Sequence, residues 1–166
     1  MKIVVNPGHT KLGVGRGANG YLNESKETRK IGYELMKLLA ATNHEIIPCV
    51  FDKSTNNLKE AVDLANNEKA DLFISIHLNA GGGQGCEALT YKGKKLTQAV
   101  NVCKELNKLG FKNRGIKDGS NLYVLKNTKM TAILIEVCFV DNKKDTDLYN
   151  KVGVNKIAKA IYNAIK

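Results

Sequence analysis

The segment Ala132-Ile133-Leu134-Ile135-Glu136-Val137 is apolar except for Glu136. Strands buried on both faces of a parallel sheet lose the alternation of polar and apolar residues and have continuous apolar sequences of this kind. The segment therefore predicts a central strand of a largely parallel sheet, with one carboxylate near the carboxyl end of the strand.

Further elements of an α/β fold lie before and after this strand. Segments with strand character cover residues 2–6, 45–50, 71–77, 87–91 and 122–125. Apolar residues at three- and four-residue intervals predict helices that start at Glu24 and Asn57 and helices that cover residues 96–106 and 154–165. Asn57, with Glu60 three residues later, is the expected cap of the second helix. The alternation predicts one α/β domain, with a mostly parallel twisted β-sheet and helices on both faces.

The composition is that of a globular domain with an excess of basic residues. The chain has 166 residues, 43% apolar and 25% charged, which excludes a disordered, collagenous or coiled-coil protein. Its 26 Lys and Arg residues against 16 Asp and Glu residues give a formal net charge of +10. A chain of this length buries a core without disulfides or a structural metal, so a metal bound to this chain would have a catalytic role. No apolar segment approaches the ~20 residues of a membrane span, and we expect no membrane insertion.

Polar residues follow several of the predicted strands, where ligands bind in open α/β sheets. His9 follows the first strand, His77 closes the third, and Glu24 starts the first helix after a glycine-rich loop. Two imidazoles and one carboxylate suit a catalytic zinc ion, which takes three protein ligands and leaves a fourth position for water. We therefore predict one zinc ion bound by His9, Glu24 and His77. Glu136 is the expected acid–base residue, which takes a proton from zinc-activated water as the water attacks a carbonyl carbon.

Each of these residues, taken alone, also has a purely structural interpretation. Glu24 can complement the dipole of the first helix, His9 can be a turn residue, and His77 can be a hydrogen-bonded core histidine. Glu136 has the weakest structural interpretation, because a lone acid in an apolar strand is costly to bury. The combination favours the metal site, and we expect no role for His44.

Two other patterns resemble functional sites and are rejected. Residues 15–20 satisfy GxGxxG, but about eight residues separate them from the first strand, whereas a dinucleotide-binding turn follows its strand directly. Its glycines are interpreted as loop positions that let the backbone approach a substrate. The four cysteines form no CxxC pair and are interpreted as reduced thiols. Cys86 and Cys138 are near His77 and Glu136 in sequence, but buried cysteines are common, so we favour no cysteine nucleophile.

Four ordered motifs resemble those of a known enzyme family over nearly the whole chain. They are Asn6-Pro7-Gly8-His9, Asn23-Glu24-Ser25, Ser75-Ile76-His77-Leu78-Asn79-Ala80 and Ile135-Glu136-Val137-Cys138-Phe139-Val140-Asp141-Asn142. In this order they are similar to the motifs of zinc-dependent N-acetylmuramoyl-L-alanine amidases of the amidase-3 type. The segments 114–117 and 122–125 are also similar to family segments.

The resemblance implies hydrolysis of the amide bond between the lactyl group of muramic acid and L-alanine of the peptidoglycan stem peptide. It also implies zinc ligation by His9, Glu24 and His77 and acid–base catalysis by Glu136, and Asn79 is a candidate substrate-binding residue. Two motifs depart from the family pattern, since Thr10-Lys11 follows His9 in place of Gly-Gly and Cys138 replaces a glycine. Neither departure removes a predicted ligand.

The resemblance and the start of the chain together suggest a phage or prophage endolysin. The apolar run after Lys2 is too short for a signal peptide, so we expect synthesis in the cytoplasm and action on the cell wall after the membrane is permeabilised. We expect residues 1–166 to form one monomeric catalytic domain without a wall-binding domain. The positive charge predicts attraction to anionic wall polymers as well as to the peptidoglycan substrate.

Three alternatives remain at this point. A nucleic-acid-binding protein is disfavoured because the basic residues are scattered, aromatics are few and no nucleic-acid motif occurs. A non-catalytic wall-binding module would not need the acid at Glu136. A zinc peptidase or deacetylase acting on the cell wall would use the same ligand set on a different bond, and only the family motifs disfavour it.

Overall fold

The computed structural model describes residues 1–166, which form six strands and six α-helices. In chain order these are β1 (Lys2–Pro7), α1 (Glu24–Ala40), β2 (Glu45–Pro48), α2 (Asn57–Asn67), β3 (Leu72–Asn79), β4 (Cys86–Thr90), α3 (Thr97–Lys108), β5 (Asn113–Asp118), α4 (Tyr123–Asn127), β6 (Thr131–Phe139), α5 (Lys143–Val152) and α6 (Val154–Ile165). No helix has the length and apolarity that crossing a bilayer requires.

The six strands form one sheet in the order β2-β1-β3-β6-β4-β5. The first four strands of this order are parallel, whereas β4 pairs antiparallel to β6 and parallel to β5. The predicted central strand is confirmed, because β6 lies between β3 and β4. The mostly parallel α/β sheet is confirmed as well.

Helices cover both faces of the sheet, as predicted, but they cover the two faces unequally. Helices α1, α3 and α6 contribute to a cluster of 29 buried residues on one face. The opposite face carries a cluster of 11 buried residues, to which α2 and α4 contribute. Short helices on this second face leave part of the sheet surface free to line a cavity.

Strand alternation places the polar residues on the less covered face. Val4, Phe73 and Leu134 belong to the smaller cluster, and residues two positions further along each strand point to the same face. These next residues are polar: Asn6 on β1, Ser75 on β3 and Glu136 on β6. The second sheet face therefore changes from apolar to polar along the strands, toward the carboxyl ends of β1, β3 and β6.

Some local predictions were wrong. Residues 122–125, predicted as a strand, include the start of α4, which buries Val124 and Leu125 against the smaller cluster. A short apolar run fits a buried helix as well as a strand, so periodicity could not separate the two. Helix α2 does begin at Asn57, but its N-cap is Asn56 and no side chain caps it.

Two elements were not predicted. Strand β5 has no apolar alternation, and helix α5 has a largely polar sequence. The side chain of Asn142 caps α5 by accepting hydrogen bonds from the amides of Lys144 and Asp145. Such a cap satisfies free amide groups at the start of a helix that has little apolar periodicity.

Candidate active site

Three side chains from separate loops and elements converge at the carboxyl ends of β1 and β3. Nε2 of His9 lies 3.0 Å from Oε1 of Glu24, and Nδ1 of His77 lies 3.1 Å from the same oxygen. The ligand atoms of all three residues lie within 4.8 Å of one another, so this group can hold a metal ion. The structure thus brings together the three residues predicted as ligands.

His9 is oriented by the glycine-rich loop. Its Nδ1 lies 3.1 Å from the carbonyl oxygen of Gly15, which can only accept a hydrogen bond. Nδ1 therefore carries a proton, and in the neutral ring Nε2 presents a lone pair toward Glu24. The backbone of His9 has φ of 69°, a left-handed conformation that costs free energy in a residue other than glycine and is concentrated at functional sites.

His77 is oriented by a buried hydrogen-bond chain. Nδ2 of Asn6 donates to the carbonyl oxygen of Cys49 at 2.8 Å, so the amide oxygen of Asn6 faces Ser75 and accepts its hydroxyl proton at 3.0 Å. The Ser75 oxygen then accepts a hydrogen bond from Nε2 of His77 at 3.1 Å. Nδ1 of His77, like Nε2 of His9, is left with a lone pair that faces Glu24.

Glu24, the first residue of α1, is held by backbone amides from the glycine-rich loop and from β3. Its Oε2 accepts from the amide of Ala18 at 2.7 Å and its Oε1 from the amide of Leu78 at 3.1 Å. With the imidazoles in these tautomers, two nitrogen lone pairs and a carboxylate oxygen face one another without a proton among them. Such a group is stable only with a positive charge between its members, supplied by a proton or by a metal ion.

The pKa values of these groups agree with a site for a cation. Burial lowers the pKa of His77, more than Glu24 raises it, so the imidazole favours the neutral form that binds metals. Burial alone would raise the pKa of Glu24, but hydrogen bonds from the imidazoles of His77 and His9, which need a ring proton on the side that faces Glu24, outweigh burial and lower the pKa below its ordinary value. In the metal-free protein this proton supplies the positive charge that a metal ion would otherwise supply.

Two glycines make room for the cluster. A Cβ atom on Gly8 would lie 2.3 Å from Cε1 of His77, and one on Gly17 would lie 2.6 Å from Oε2 of Glu24. Gly17 also has φ of 76°, which disfavours other residues. The loop glycine at position 17 therefore allows close approach of the backbone to His9 and Glu24, the predicted metal ligands.

Glu136 lies beside this cluster but is not a member of it. In the strand register Glu136 is opposite His77 on β3 and opposite Glu87 on β4. Its Oε2 is buried and has no hydrogen-bond partner. Burial, followed by the charges of Glu24 and Glu87, raises the pKa of Glu136 to about 9. A carboxyl group in this environment keeps its proton at neutral pH unless a cation lies nearby.

A second polar group adjoins Glu136 and was not predicted. Glu87 accepts a hydrogen bond from Nδ2 of Asn79 at 2.9 Å and one from Nε of Arg114 at 2.6 Å. The amide oxygen of Asn79 accepts from the backbone of Ala80, so the side chain of this predicted substrate-binding residue is fixed by protein contacts. The sequence contained no signal for Glu87, because an acid in a short strand is unremarkable.

The predicted ligands and Glu136 line a cavity of about 560 Å³. Its polar part includes Asn6, His9, Glu24, Ser75, His77, Asn79, Glu87 and Glu136. Its apolar part includes Leu58, Leu89, Leu122, Tyr123, Val124 and Leu134, which come from α2, from the start of α4 and from the sheet. The cavity is in the size range of small-molecule sites and exposes the ligand cluster and Glu136 together.

The cysteines and His44 lie outside this chemistry. All four cysteines are free and buried, and burial raises the pKa of the Cys86 thiol to about 12. Burial also raises the pKa of Cys138, so neither residue is a thiolate at neutral pH. His44 lies 3.4 Å from the amino terminus at the surface.

The sequence profile of the N-acetylmuramoyl-L-alanine amidase family matches residues 3–166. The chain belongs to this amidase family. A solved structure of the catalytic domain of CD27L, an endolysin that targets Clostridia difficile, is 34% identical to it. This superposition covers 99% of the chain and 96% of the CD27L chain, with a TM-score of 0.90.

Curated relatives of this amidase-family chain come from several bacteria. An uncharacterised 38.4 kDa protein of Clostridium perfringens is 36% identical over an alignment of 176 positions, which covers 99% of the chain and 51% of that protein. The N-acetylmuramoyl-L-alanine amidase CwlM of Bacillus licheniformis is 34% identical over an alignment of 172 positions, which covers 99% of the chain and 67% of CwlM. The chain thus spans about half the length of its Clostridium perfringens relative.

Proposed function

We propose that this chain hydrolyses the amide bond between N-acetylmuramic acid and the L-alanine of the peptidoglycan stem peptide. His9, Glu24 and His77 hold one zinc ion, and Glu136 is the acid–base residue. The observation that carries the proposal is the convergence of three lone-pair donors beside a buried carboxyl group that has no partner. Membership of the amidase family supports the choice of bond.

The donor set fits zinc. Two imidazole nitrogens and one carboxylate oxygen are the ligands of many catalytic zinc sites. Ligand atoms at about 2.0–2.1 Å from a tetrahedral zinc ion lie roughly 3.4 Å apart. The separations of 3.0 Å and 3.1 Å between Glu24 and the two histidines are close to this value, and all three ligand atoms lie within 4.8 Å of one another. Small shifts of the side chains would bring them around one ion.

Zinc, when bound, supplies Lewis acidity that lowers the pKa of water and polarises a carbonyl group. Glu136 accepts a proton from the attacking water and returns it to the amide nitrogen as the carbon–nitrogen bond breaks. One carboxyl group thus serves first as base and then as acid. Its buried Oε2, free of protein partners, is the atom available to hold this proton.

The products of peptidoglycan digestion test this proposal. Mass spectrometry should find free stem peptides that begin with L-alanine, together with intact glycan strands. A peptidase would leave L-alanine attached to muramic acid, and a deacetylase would release acetate without freeing peptide. Either result would contradict the proposed bond.

The charge of the chain supports a cell-wall substrate. The net charge of +10 favours association with anionic wall polymers, through long-range attraction that salt screens. We therefore expect binding to isolated walls to weaken as ionic strength rises. Pelleting the chain with walls at increasing salt concentrations measures this effect.

A further inference from the structure

A row of polar side chains crosses the sheet and ends at Arg114. His77, Glu136 and Glu87 are register partners on the adjacent strands β3, β6 and β4. Arg114 on the next strand, β5, continues the row by donating from Nε to Oε2 of Glu87 at 2.6 Å. Arg114 does not itself line the cavity, but it contacts Glu87, which lines the cavity together with Asn79.

The guanidinium of Arg114 is held from two sides. Its Cζ lies 5.0 Å from the centre of the Phe139 ring, and that ring packs so closely on Gly83 that a Cβ there would lie 2.3 Å from it. Glu87 engages Nε, while Nη1 and Nη2 make no hydrogen bond within the protein. The side chain as a whole is 33% exposed, and its two terminal nitrogens keep their capacity to donate to a ligand.

A fixed guanidinium with two free donors matches a carboxylate. Arginine binds carboxylates with two parallel hydrogen bonds, and preorganisation of its planar group reduces the entropy lost on binding. The terminal nitrogens that Glu87 leaves free can therefore take a second carboxylate, brought by a ligand.

The distance along the row indicates where that carboxylate lies in a substrate. Strand β5 is two strands from β6, and neighbouring strands are about 4.8 Å apart, which separates Arg114 from Glu136 by roughly 10 Å. An extended peptide advances about 3.3–3.6 Å per residue. A carboxylate in the first three residues after the scissile amide would reach Arg114.

The peptide, and not the sugar, provides such a group. The scissile amide uses the lactyl carboxyl group of muramic acid, and neutral N-acetylated sugars carry no other carboxyl. We infer that Arg114 is a specificity-determining residue, which binds a carboxylate within the first three residues of the leaving stem peptide. This inference rests on the proposed amidase function and goes beyond it by naming the group that selects the peptide.

A matched pair of substrates tests the inference. The two are muramoyl tripeptides that begin with L-alanine and differ only in whether every free carboxyl group of the peptide is an acid or a carboxamide. The chain loaded with zinc should cleave the acid with a kcat/KM about ten-fold or more above that for the amide. Arg114→Gln should remove this preference, mainly through KM for the acid.

Control variants separate recognition from stability. Lys117→Gln removes an exposed positive charge from the same strand and should keep the preference. Arg114→Gln leaves the buried carboxylate of Glu87 without its positively charged partner. The double variant Glu87→Gln, Arg114→Gln removes both charges and should also lack the preference. Equal losses on both substrates in the Arg114 variants would overturn the inference, as would a wild-type preference for the amide.

The same peptides without the sugar keep the two proposals distinct. If the chain cleaves neither substrate, the proposed function fails, and calorimetric binding of the free acid and amide peptides then decides the role of Arg114. Tighter binding of the acid that Arg114→Gln abolishes supports the inference. Equal binding of both peptides contradicts it.

Discussion

The hydroxyl oxygen of Ser75 lies 3.1 Å from Nε2 of His77, on the opposite side of the ring from Glu24. The side-chain amide of Asn6 donates to the carbonyl oxygen of Cys49, so its oxygen faces Ser75 and accepts the hydroxyl proton. The Ser75 oxygen can then only accept from Nε2 of His77. A residue without a ligand atom in the cluster thus determines which nitrogen of His77 is free to bind a metal.

Ser75→Ala should weaken zinc binding by about 10- to 100-fold, the usual effect of removing a hydrogen-bond partner of a metal ligand. Competition with a chelator measures the affinity, and nitrogen NMR of the zinc-free chain reports the tautomer of His77. Ser120→Ala removes a hydroxyl whose bonds are to Asp118 and Lys92, outside the cavity, and is the control. Unchanged affinity and tautomer in Ser75→Ala would disprove the orienting role.

Gly8→Ala should abolish metal binding. The added Cβ would lie 2.3 Å from the ring of His77, and the amide of Gly8 is fixed by a 2.8 Å hydrogen bond to the carbonyl oxygen of Ile76, so the ring must move. Zinc content per chain measures the effect. Gly13→Ala strains a left-handed glycine that has no atom nearby, so it should cost about 1–2 kcal/mol of stability and leave zinc content unchanged.

His77→Ala and Glu136→Ala should separate metal binding from chemistry. Removal of His77 deletes a ligand, so both zinc and activity should be lost. Removal of Glu136 should keep zinc but lower kcat by about 10²–10⁴-fold, the contribution of a positioned acid–base group. Zinc analysis and turbidity loss of cell walls, measured on the same samples, check the pair. An active Glu136→Ala variant would contradict the mechanism.

Glu136→Gln should stabilise the metal-free chain in a pH-dependent way. The folded protein holds the proton of Glu136 up to a pKa of about 9, while the unfolded chain releases it near 4.5. The folded form binds more protons between these values, so stability of the wild type falls as pH rises through this window. Glutamine does not ionise, so near pH 9 the free energy of unfolding of the variant should exceed that of the wild type by about 1–3 kcal/mol.

Chemical denaturation at several pH values between 5 and 9 measures this difference in the presence of a chelator. Glu60→Gln, at an exposed position on α2, is the control and should leave the pH dependence unchanged. A constant difference between Glu136→Gln and the wild type would show that Glu136 ionises alike in the folded and unfolded chain.

The residues alone predicted the central strand, the α/β fold and the convergence of His9, Glu24 and His77. These predictions succeeded because an apolar segment broken only by Glu136 is typical of a strand buried on both faces of a parallel sheet, and because the carboxyl ends of parallel strands meet at one edge. They failed at residues 122–125, where four residues are too few to separate the periods of a strand and a helix.

Tertiary structure alone decided how the site is supported. The links from Cys49 through Asn6 and Ser75 to His77, and from Asn79 through Glu87 to Arg114, join residues far apart in the chain. Strand order and register determine these contacts, and they cannot be predicted from a single polar residue in a strand. The pattern along a chain reflects which face each residue occupies, whereas hydrogen-bond partners depend on which strands become neighbours.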